Sequence, residues 1–313
     1  MRVLVAIGGN SIIEDPAQAS VQDQYRAICR TCEHLAEIVA AGHQLVITHG
    51  NGPQVGFMLL RSELAAGVLH EVPLDSIDAD TQGALGYQIQ QALGNALRKR
   101  GLDDRVVSLV TQVVVAHDDP AFEAPTKPIG RAYDEEEAQA KMAELGWRMT
   151  HEAKRGWRRV VPSPRPLRIV ETWAVKKVIE DGAVAVACGG GGIPVVDSGP
   201  DGLLGVQAVI DKDRASALLA HELGADVLVF STGVDQVCLD FGLPTERALD
   251  VLSVSDAKHH IAAGQFPRGS MGPKIQGAIN FIRESGPKMW AVVTSPANLA
   301  AAVEGRAGTR VLP

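Results

Sequence analysis

Two lysines occupy positions that suit the binding of a phosphoryl group. Lys212 lies just before a helix predicted over 214–223, and Lys274 follows Pro273 at the start of a helix predicted over 275–284. The free N–H groups and the dipole at the start of a helix favour a bound anion. Each lysine adds a full positive charge there, so the pair predicts an anion site.

A third lysine and an aspartate complete this set. Lys127 lies in a loop between Pro125 and Pro128, which restrict the backbone and direct the side chain. Asp213 is predicted to orient the lysines, although simple capping of the helix that follows would also explain it. Phosphoryl transfer depends mainly on positive charge and on placement of donor and acceptor. Loss of one such lysine is expected to slow turnover by about 10²–10³-fold.

Glycine-rich loops follow three apolar runs of the chain. They are Gly8-Gly9-Asn10, Gly50-Asn51-Gly52 and Gly189-Gly190-Gly191-Gly192. Apolar runs without polar alternation predict strands that are covered on both faces, and the glycines let backbone N–H groups turn toward an anion. Open α/β sheets bind ligands at the carboxyl ends of their strands, so the loops predict one shared crevice. The first two loops are expected to hold the phosphoryl acceptor.

The sequence lacks the common nucleotide-binding patterns. It contains no P-loop motif, and none of its glycine loops reads G-x-G-x-x-G. A nucleotide would therefore be held by other means, with Mg²⁺ bridging its phosphates. We predict no metal site made by the protein, because Cys29 and Cys32 fall within a predicted helix and His259-His260 lacks a third ligand.

The elements that must position these residues alternate between strand and helix patterns. The helix patterns end near glycines, as expected for C-caps. This alternation predicts a mainly parallel sheet with right-handed crossovers. The strands are predicted near 3–7, 45–47, 105–115, 183–187, 227–231 and 289–294, and the helices near 20–41, 54–66, 81–100, 172–181, 213–224, 273–285 and 297–304.

The stretch 117–168, here called the lid segment, departs from this alternation. It has no clear buried strand, is rich in proline, and carries an acidic run at 134–137 followed by a basic stretch. One interpretation is a solvated excursion whose opposite charges face each other. The other is a lid over the crevice, because long insertions in compact domains are often functional.

The composition is that of an ordinary soluble enzyme. With 313 residues, 46% of them hydrophobic, the chain can bury a sizeable core as one large domain or two lobes. A net charge of −7 argues against broad contact with nucleic acid or anionic lipid. No signal peptide or membrane-spanning stretch is predicted. We expect a cytoplasmic protein with no nucleic-acid or membrane partner.

A series of motifs runs in order through nearly the whole chain. They are Gly8-Gly9-Asn10, His49-Gly-Asn-Gly-Pro-Gln-Val-Gly56, Thr81-Gln-Gly83 with Gly86-Tyr87, Pro125-Thr-Lys-Pro-Ile-Gly130, Arg158-Arg-Val-Val-Pro-Ser-Pro164, Gly189-Gly-Gly-Gly-Ile-Pro-Val195, Ala208-Val-Ile-Asp-Lys-Asp213 and Gly269-Ser-Met-Gly-Pro-Lys274. Together they resemble the carbamate kinases, a branch of the amino-acid kinase superfamily.

This resemblance implies an α/β fold: a three-layer α/β/α sandwich with a mainly parallel central sheet and a small protruding lid subdomain. It implies a single domain over 1–313, with a lobe at about 1–210 for carbamate and the phosphoryl group and a lobe at about 211–313 for the nucleotide. The implied reaction is reversible phosphoryl transfer between carbamoyl phosphate and ADP, giving ATP and carbamate with Mg²⁺. A homodimer and a place in arginine or purine nitrogen catabolism are implied as well.

The resemblance also implies roles for individual residues. Lys127, Lys212 and Lys274 would stabilise charge, with Asp213 as their organiser. Carbamate or the phosphoryl group would bind at Gly8, Gly9, Asn10, Gly50, Asn51 and Gly52. The nucleotide would contact Ser231, Thr232, Asp235, Met271, Gly272 and Lys274.

Two positions depart from the family pattern, and two alternative functions stay open. Gln207 stands where Glu is common, and Ser231-Thr-Gly-Val-Asp235 replaces a more usual Leu-Thr-x-Val-Asp. Both changes bear on nucleotide affinity. The alternatives are a superfamily kinase for another small carboxylate and a catalytically silent partner of a carbamoyltransferase. Retention of the three lysines and Asp213 argues against silence.

Overall fold

The computed structural model describes residues 1–9, 12–13, 19–153, 156–267 and 269–313. Its helices are α1 Val21–Ala40, α2 Gly52–Ala65, α3 Leu74–Lys99, α4 Glu135–Leu145, α5 Thr172–Glu180, α6 Lys212–Leu223, α7 Val254–Ala262, α8 Met271–Ser285 and α9 Leu299–Val303.

The strands are β1 Arg2–Ile7, β2 Gln44–His49, β3 Val106–Ser108, β4 Gln112–Val115, β5 Lys127–Tyr133, β6 Met149–Glu152, β7 Gly156–Val161, β8 Pro166–Ile169, β9 Val184–Val186, β10 Ile193–Asp197, β11 Leu203–Gly205, β12 Val227–Ser231, β13 Val237–Leu239, β14 Arg247–Leu249, β15 Val251–Ser253, β16 Trp290–Thr294 and β17 Thr309–Leu312.

An eight-stranded sheet forms the centre of the fold, in the order β15-β17-β16-β12-β1-β2-β9-β3. Its pairings are parallel except that between β16 and β17. Strands from the first two-thirds of the chain form one half of this sheet and strands from the last third form the other half. The two halves meet where β1 pairs with β12. The predicted mainly parallel sheet is confirmed.

Helices cover both faces of this sheet. Leu4 and Ala6 of β1 lie in a core cluster with apolar residues of α5, α6 and α8. Val3 and Val5 lie in a second cluster with residues of α1, α3 and α9. Because successive side chains of a strand point to opposite faces, a strand buried on both sides needs an unbroken apolar run. The three-layer α/β/α architecture is therefore confirmed.

The predicted strand at 105–115 is two strands. β3 lies at one edge of the central sheet, whereas β4 belongs to a second sheet of order β11-β10-β4-β8. Between them, the side chain of Gln82 accepts a hydrogen bond from Thr111 N at 2.8 Å and donates one to Thr111 O at 3.1 Å. This long-range contact holds the chain out of the first sheet, and the apolar pattern alone does not reveal it.

The lid segment contains more regular structure than its sequence predicts. β5, β7 and β6 form a separate antiparallel sheet, with α4 between β5 and β6 along the chain. Most residues of these strands are half-buried or exposed, so they lack the apolar run that marks a buried strand. The expectation of no clear buried strand missed them for this reason. Tyr133 of β5 donates a hydrogen bond to Glu63 of α2 at 2.9 Å, which ties this sheet to the body of the protein.

Candidate active site

A cavity of about 360 Å³ lies at the carboxyl ends of β1 and β2, near the junction of the two halves of the central sheet. It brings together the described residues of the first two glycine-rich loops, one glycine of the third, and the three lysines. Its lining includes Gly8, Gly9, Gly50, Asn51, Gly52, Lys127, Arg158, Gly190, Asp211, Lys212, Asp213, Thr232, Ser270 and Lys274. The positions of the strand ends predicted one shared crevice, and this cavity is such a crevice.

Short backbone contacts hold the first two loops against the sheet. Gly8 N donates to Ser231 O at 3.1 Å, and Gly50 N donates to Ile7 O at 3.0 Å. A Cβ added to Gly8 would lie 2.8 Å from Ser231 O, closer than real Cβ atoms come. Glycine is therefore required where β1 ends beside β12.

The third loop forms a 3-10 turn, Gly189–Gly191, that packs against the second loop. Gly190 has a φ of 69°, in the left-handed region that favours glycine. A Cβ on Gly190 would overlap the amide of Asn51. The absence of a side chain at Gly190 therefore leaves room for the Asn51 amide at the edge of the cavity.

Asp213 bridges two of the three lysines. Lys212 Nζ lies 2.7 Å from Asp213 Oδ1, and Lys274 Nζ lies 3.1 Å from Asp213 Oδ2. The Asp213 side chain is only 5% exposed, so both of its oxygens are committed to these contacts. With two cations and one anion, the cluster keeps a positive charge with which to attract a phosphate.

Burial and charge compete within this cluster. Burial lowers the pKa of Lys212, and the neighbouring carboxylate of Asp213 opposes that shift. Burial alone would raise the pKa of Asp213, but the charges of Lys212 and Lys274 outweigh it and leave that pKa below its usual value. Asp213 is therefore ionised at neutral pH and can orient both ammonium groups.

The residue that caps the start of α6 differs from the predicted one. The residue that caps α6 is Asp211, whose side chain accepts from Asp213 N at 3.0 Å and Arg214 N at 3.3 Å. Asp213 lies inside the first turn, so the capping interpretation of Asp213 is wrong. Its side chain is thereby free to bridge the lysines. Sequence reasoning missed Asp211, although an aspartate directly before a helix is a typical N-cap.

Lys127 reaches the same cavity from the first strand of the lid segment. Its Nζ donates to Ile210 O at 3.2 Å and lies 3.4 Å from Asp211 Oδ2. The three ammonium groups therefore line one cavity, as the proposed chemistry requires, although Lys127 pairs with a different carboxylate. Arg158 from β7 lines the cavity too, and its Nη2 donates to Gly130 O at 3.1 Å.

The other predicted binding residues are distributed unevenly. Thr232 lines the cavity, and Ser231 is fully buried at the end of β12 beside Gly8. Met271 and Gly272 form the first turn of α8, just before Lys274. Asp235 lies at a separate cavity, where it accepts a hydrogen bond from Asn298 at 2.9 Å. Asn10 lies outside the described residues.

A buried polar network beneath the cavity escaped sequence reasoning. Asn51 Nδ2 donates to Thr81 Oγ1 at 2.9 Å and to Asp78 Oδ1 at 3.3 Å. Burial raises the pKa of Asp78 to about 8, although the hydrogen bond from Asn51 opposes the shift. The predicted helix began at residue 81 and so excluded Asp78. Pro73 before the helix and Asp75 in its first turn are the start signals that could have found it.

His49 adds no charge to the site. Burial lowers the pKa of His49 to about 4, so its ring is neutral at pH 7. Its Nδ1 lies 3.1 Å from Gly50 O, which identifies Nδ1 as the protonated nitrogen. The positive charge of the cavity therefore comes from lysine and arginine.

Gln207 is one of the two departures from the family pattern, and its side chain contacts the first residue of α3. Its Oε1 accepts a hydrogen bond from Leu74 N at 3.2 Å. A glutamate could accept the same bond, so glutamine preserves this contact without the charge.

The acidic side chains at the cavity contact lysines. Among the described residues, no group of three or more His, Cys, Asp or Glu side chains is placed to hold a metal. Asp211 and Asp213, the two carboxylates that line the cavity, are paired with lysines. Within the same described ranges, no helix is long and apolar enough to cross a bilayer.

The chain is similar to known proteins over nearly its whole length. The Amino acid kinase family matches residues 1–292. The chain is 45% identical to the carbamate kinase-like protein YahI of Escherichia coli (strain K12), over 99% of this chain and 98% of that protein. It is 42% identical to the carbamate kinase of Pyrococcus horikoshii, over 100% and 99% of the two chains.

A solved structure shares the whole fold. The carbamate kinase from Giardia lamblia bound to AMP-PNP superposes with a TM-score of 0.91 at 38% identity, covering 99% of this chain and 98% of that one.

Proposed function

The chain belongs to the amino acid kinase family, and we infer that within this family it is a carbamate kinase. It transfers a phosphoryl group reversibly between carbamoyl phosphate and ADP, giving ATP and carbamate. The observation that carries this function is the convergence of three lysines and two glycine-rich loops on one cavity of about 360 Å³. A cavity of this size suits a phosphoryl group with a small acceptor.

We propose a division of labour among the site residues. Lys127, Lys212 and Lys274 stabilise the charge of the transferring group, and Asp213 fixes the last two in place. Backbone N–H groups of the loops at Gly8-Gly9-Asn10 and Gly50-Asn51-Gly52 hold carbamate or the phosphoryl group. No covalent intermediate is needed, because positioning and positive charge are sufficient for this reaction.

The nucleotide is proposed to lie on the side of the cavity formed by the last third of the chain. Thr232 and Lys274 line that side, and Met271 and Gly272 adjoin it in the first turn of α8. The nucleotide set proposed from the sequence also contains Ser231, which is buried beside Gly8, and Asp235, which lies at a separate cavity. Mg²⁺ would arrive on the nucleotide phosphates and reduce their charge. The pairing of β1 with β12, one strand from each side of the boundary, supports the proposed division into lobes of about 1–210 and 211–313.

Assembly, location and pathway are further parts of this proposal. We propose a homodimer that forms through the β3 edge of the central sheet, where Val107, Val110 and Tyr87 are exposed. All four cysteines are free thiols, which suits the reducing cytoplasm. A reaction that forms ATP from carbamoyl phosphate suits the end of a nitrogen-degrading pathway.

A coupled assay tests the function. Purified protein with MgADP and carbamoyl phosphate is expected to form ATP, read by a luminescent reporter. A Lys127→Ala plus Lys274→Ala variant is the control, and an absence of ATP above this control would favour a silent partner protein. Acetyl phosphate as the donor tests one form of the remaining alternative, because a kinase whose acceptor is acetate would use it at least as well.

A further inference from the structure

We propose that Asp211 is a positioning residue that holds the lid segment's lysine over the phosphoryl site. This inference rests on the proposed kinase function, and it concerns how Lys127 is brought to the reacting group. Asp211 joins two parts of the molecule, the start of α6 and the first strand of the lid segment. The same carboxylate makes both contacts.

The two oxygens of Asp211 point in different directions. Oδ1 accepts from Asp213 N and Arg214 N, which completes the first turn of α6. Oδ2 lies 3.4 Å from Lys127 Nζ. Capping requires one oxygen, and a serine or asparagine would serve equally well. The second oxygen therefore has a separate task.

We infer that Oδ2 of Asp211 positions the ammonium group of Lys127 relative to those of Lys212 and Lys274. Asp211 and Asp213 flank Lys212 in the sequence, and each of the two carboxylates pairs with a lysine. Lys127 comes from a sequence position 84 residues away, on a strand of a separate sheet. Without Asp211, Lys127 keeps the uncharged acceptor Ile210 O at 3.2 Å and loses its charged partner, so its flexible side chain is less restricted.

The ion pair between Lys127 and Asp211 positions the lysine, and it can still be replaced by a contact between Lys127 and a bound substrate. The side chains of Lys127 and Asp211 are 27% and 24% exposed, so water screens the pair. A phosphoryl group carries more negative charge than a carboxylate and competes for the same ammonium. Lys127 can therefore exchange its contact with Asp211 for a contact with the phosphoryl group when the substrate binds.

This arrangement predicts opposite effects on binding and on turnover. Asp211 places a negative charge beside the phosphate site, so its neutralisation should tighten the binding of anions. The same change removes the charged partner of Lys127 and leaves only its hydrogen bond to Ile210 O to hold it, and misplacement of a catalytic group by about 1 Å can cost up to about 10²-fold in rate. A purely structural cap would weaken binding and turnover together.

The test uses Asp211→Asn, which keeps the cap oxygen and removes the charge. We expect kcat to fall by about 10-fold or more, with the KM for carbamoyl phosphate unchanged or lower. Lys127→Gln is the matched variant, because it removes the charge of the other member of the Lys127–Asp211 ion pair. In the double variant, Asp211→Asn should cause little further loss of kcat, because both substitutions break one contact.

Hydrogen exchange of backbone amides supplies a readout that does not depend on activity. In Asp211→Asn, exchange should rise in residues 127–133 and stay unchanged in α6. An unchanged lid strand, a rise confined to α6, or independent effects of Asp211→Asn and Lys127→Gln on kcat would each overturn the proposal. A wild-type protein that forms no ATP would overturn the proposed function instead, and hydrogen exchange would still decide whether Asp211 holds the lid.

Discussion

Lys212 and Lys274 place two ammonium groups on one carboxylate in a pocket that is almost closed to water. Their side chains are 13% and 9% exposed. Two desolvated like charges are costly for folding, and burial lowers the pKa of Lys212 as a direct sign of that cost. A site that binds phosphate gains from this charge, whereas the stability of the protein does not.

Replacing Lys212 should therefore separate activity from stability. Lys212→Met is expected to slow ATP formation by about 10²–10³-fold. The free energy of unfolding should stay within about 1 kcal/mol of wild type or rise, because Asp213 keeps Lys274 as its partner. Denaturant unfolding and the coupled assay measure the two quantities.

Lys258→Met, at an exposed position of α7, is the matched control for this change. It should leave kcat and stability unaltered. A loss of more than about 2 kcal/mol in Lys212→Met would show instead that the lysine supports the fold.

Asp78 makes stability depend on pH. Its pKa is about 8 in the folded protein and near 4 in an unfolded chain, so between these values the folded protein keeps a proton that the unfolded chain releases. Stability contributed by this group therefore falls as the pH rises from about 4 to about 8. The slope is at most about 1.4 kcal/mol per pH unit.

Asp78→Asn is expected to remove that slope. Denaturant unfolding of both proteins at several pH values between 5 and 8 measures it, because His49 and other titrating groups cancel in the difference. Asp80→Asn, an exposed change on the same helix, should keep the wild-type slope. Parallel pH curves for wild type and Asp78→Asn would show that Asp78 is already ionised in the folded protein.

At the scale of elements, the site depends on loops that approach one another more closely than side chains allow. The turn Gly189–Gly191 meets the start of α2 at Asn51, and β1 meets β12 at Gly8. The lid segment also lies close to α2, although less extremely, since a Cβ on Gly56 would lie 3.3 Å from the Cα of Gly130. Each approach brings backbone N–H groups or a lysine nearer to the cavity.

Gly190→Ala should disrupt the cavity. The added methyl group would overlap the amide of Asn51, which Thr81 and Asp78 hold in place, and the φ of 69° disfavours alanine. We expect a loss of about 10²-fold or more in kcat/KM and of about 2 kcal/mol in the free energy of unfolding. The coupled assay and denaturant unfolding provide both values.

Gly83→Ala offers a comparison, because a Cβ at this position of α3 meets no atom within 4 Å. It should retain activity and be equally or slightly more stable. Full activity in Gly190→Ala would mean that Asn51 has no fixed position in the working site.

At the scale of the whole molecule, the central sheet ends at β3 and β15. An exposed strand edge is a surface where another chain can pair. Val107 on β3 is 38% exposed, and Tyr87 on α3 and Val110 are more exposed still. This half of the sheet also carries the loops that are proposed to hold carbamate, since it contains β1 and β2.

Native mass measurement tests the assembly. Light scattering should give twice the chain mass of 33.1 kDa. Val107→Lys, which places a charge on the β3 edge, should shift the protein toward monomer. Val251→Lys on the opposite edge strand, where Val251 is 45% exposed, should leave the mass unchanged. A monomeric wild type, or dissociation only with Val251→Lys, would contradict the proposed interface.

Local patterns predicted the layers of the fold and the cavity well. The run Val3 to Ile7 followed by glycines, and its counterparts before residues 50 and 189, mark buried strands that end in glycine-rich loops at the cavity. Such features depend on a few consecutive residues and on backbone geometry. The strands of the lid segment were missed because their half-buried faces lack that pattern.

The sequence by itself determined which residue types are available: three lysines near glycine loops, and strands that must be covered on both faces. Tertiary structure decided how charges are paired and buried. It made Asp211 the cap and Asp213 the bridge, brought Lys127 to α6 across 84 residues, and buried Asp78 under Asn51. The physical reason is the distance along the chain over which each effect acts. The preference for a strand or a loop depends on residues that are close in sequence. Desolvation and ion pairing depend instead on groups that meet only after the sheet and its helices have packed.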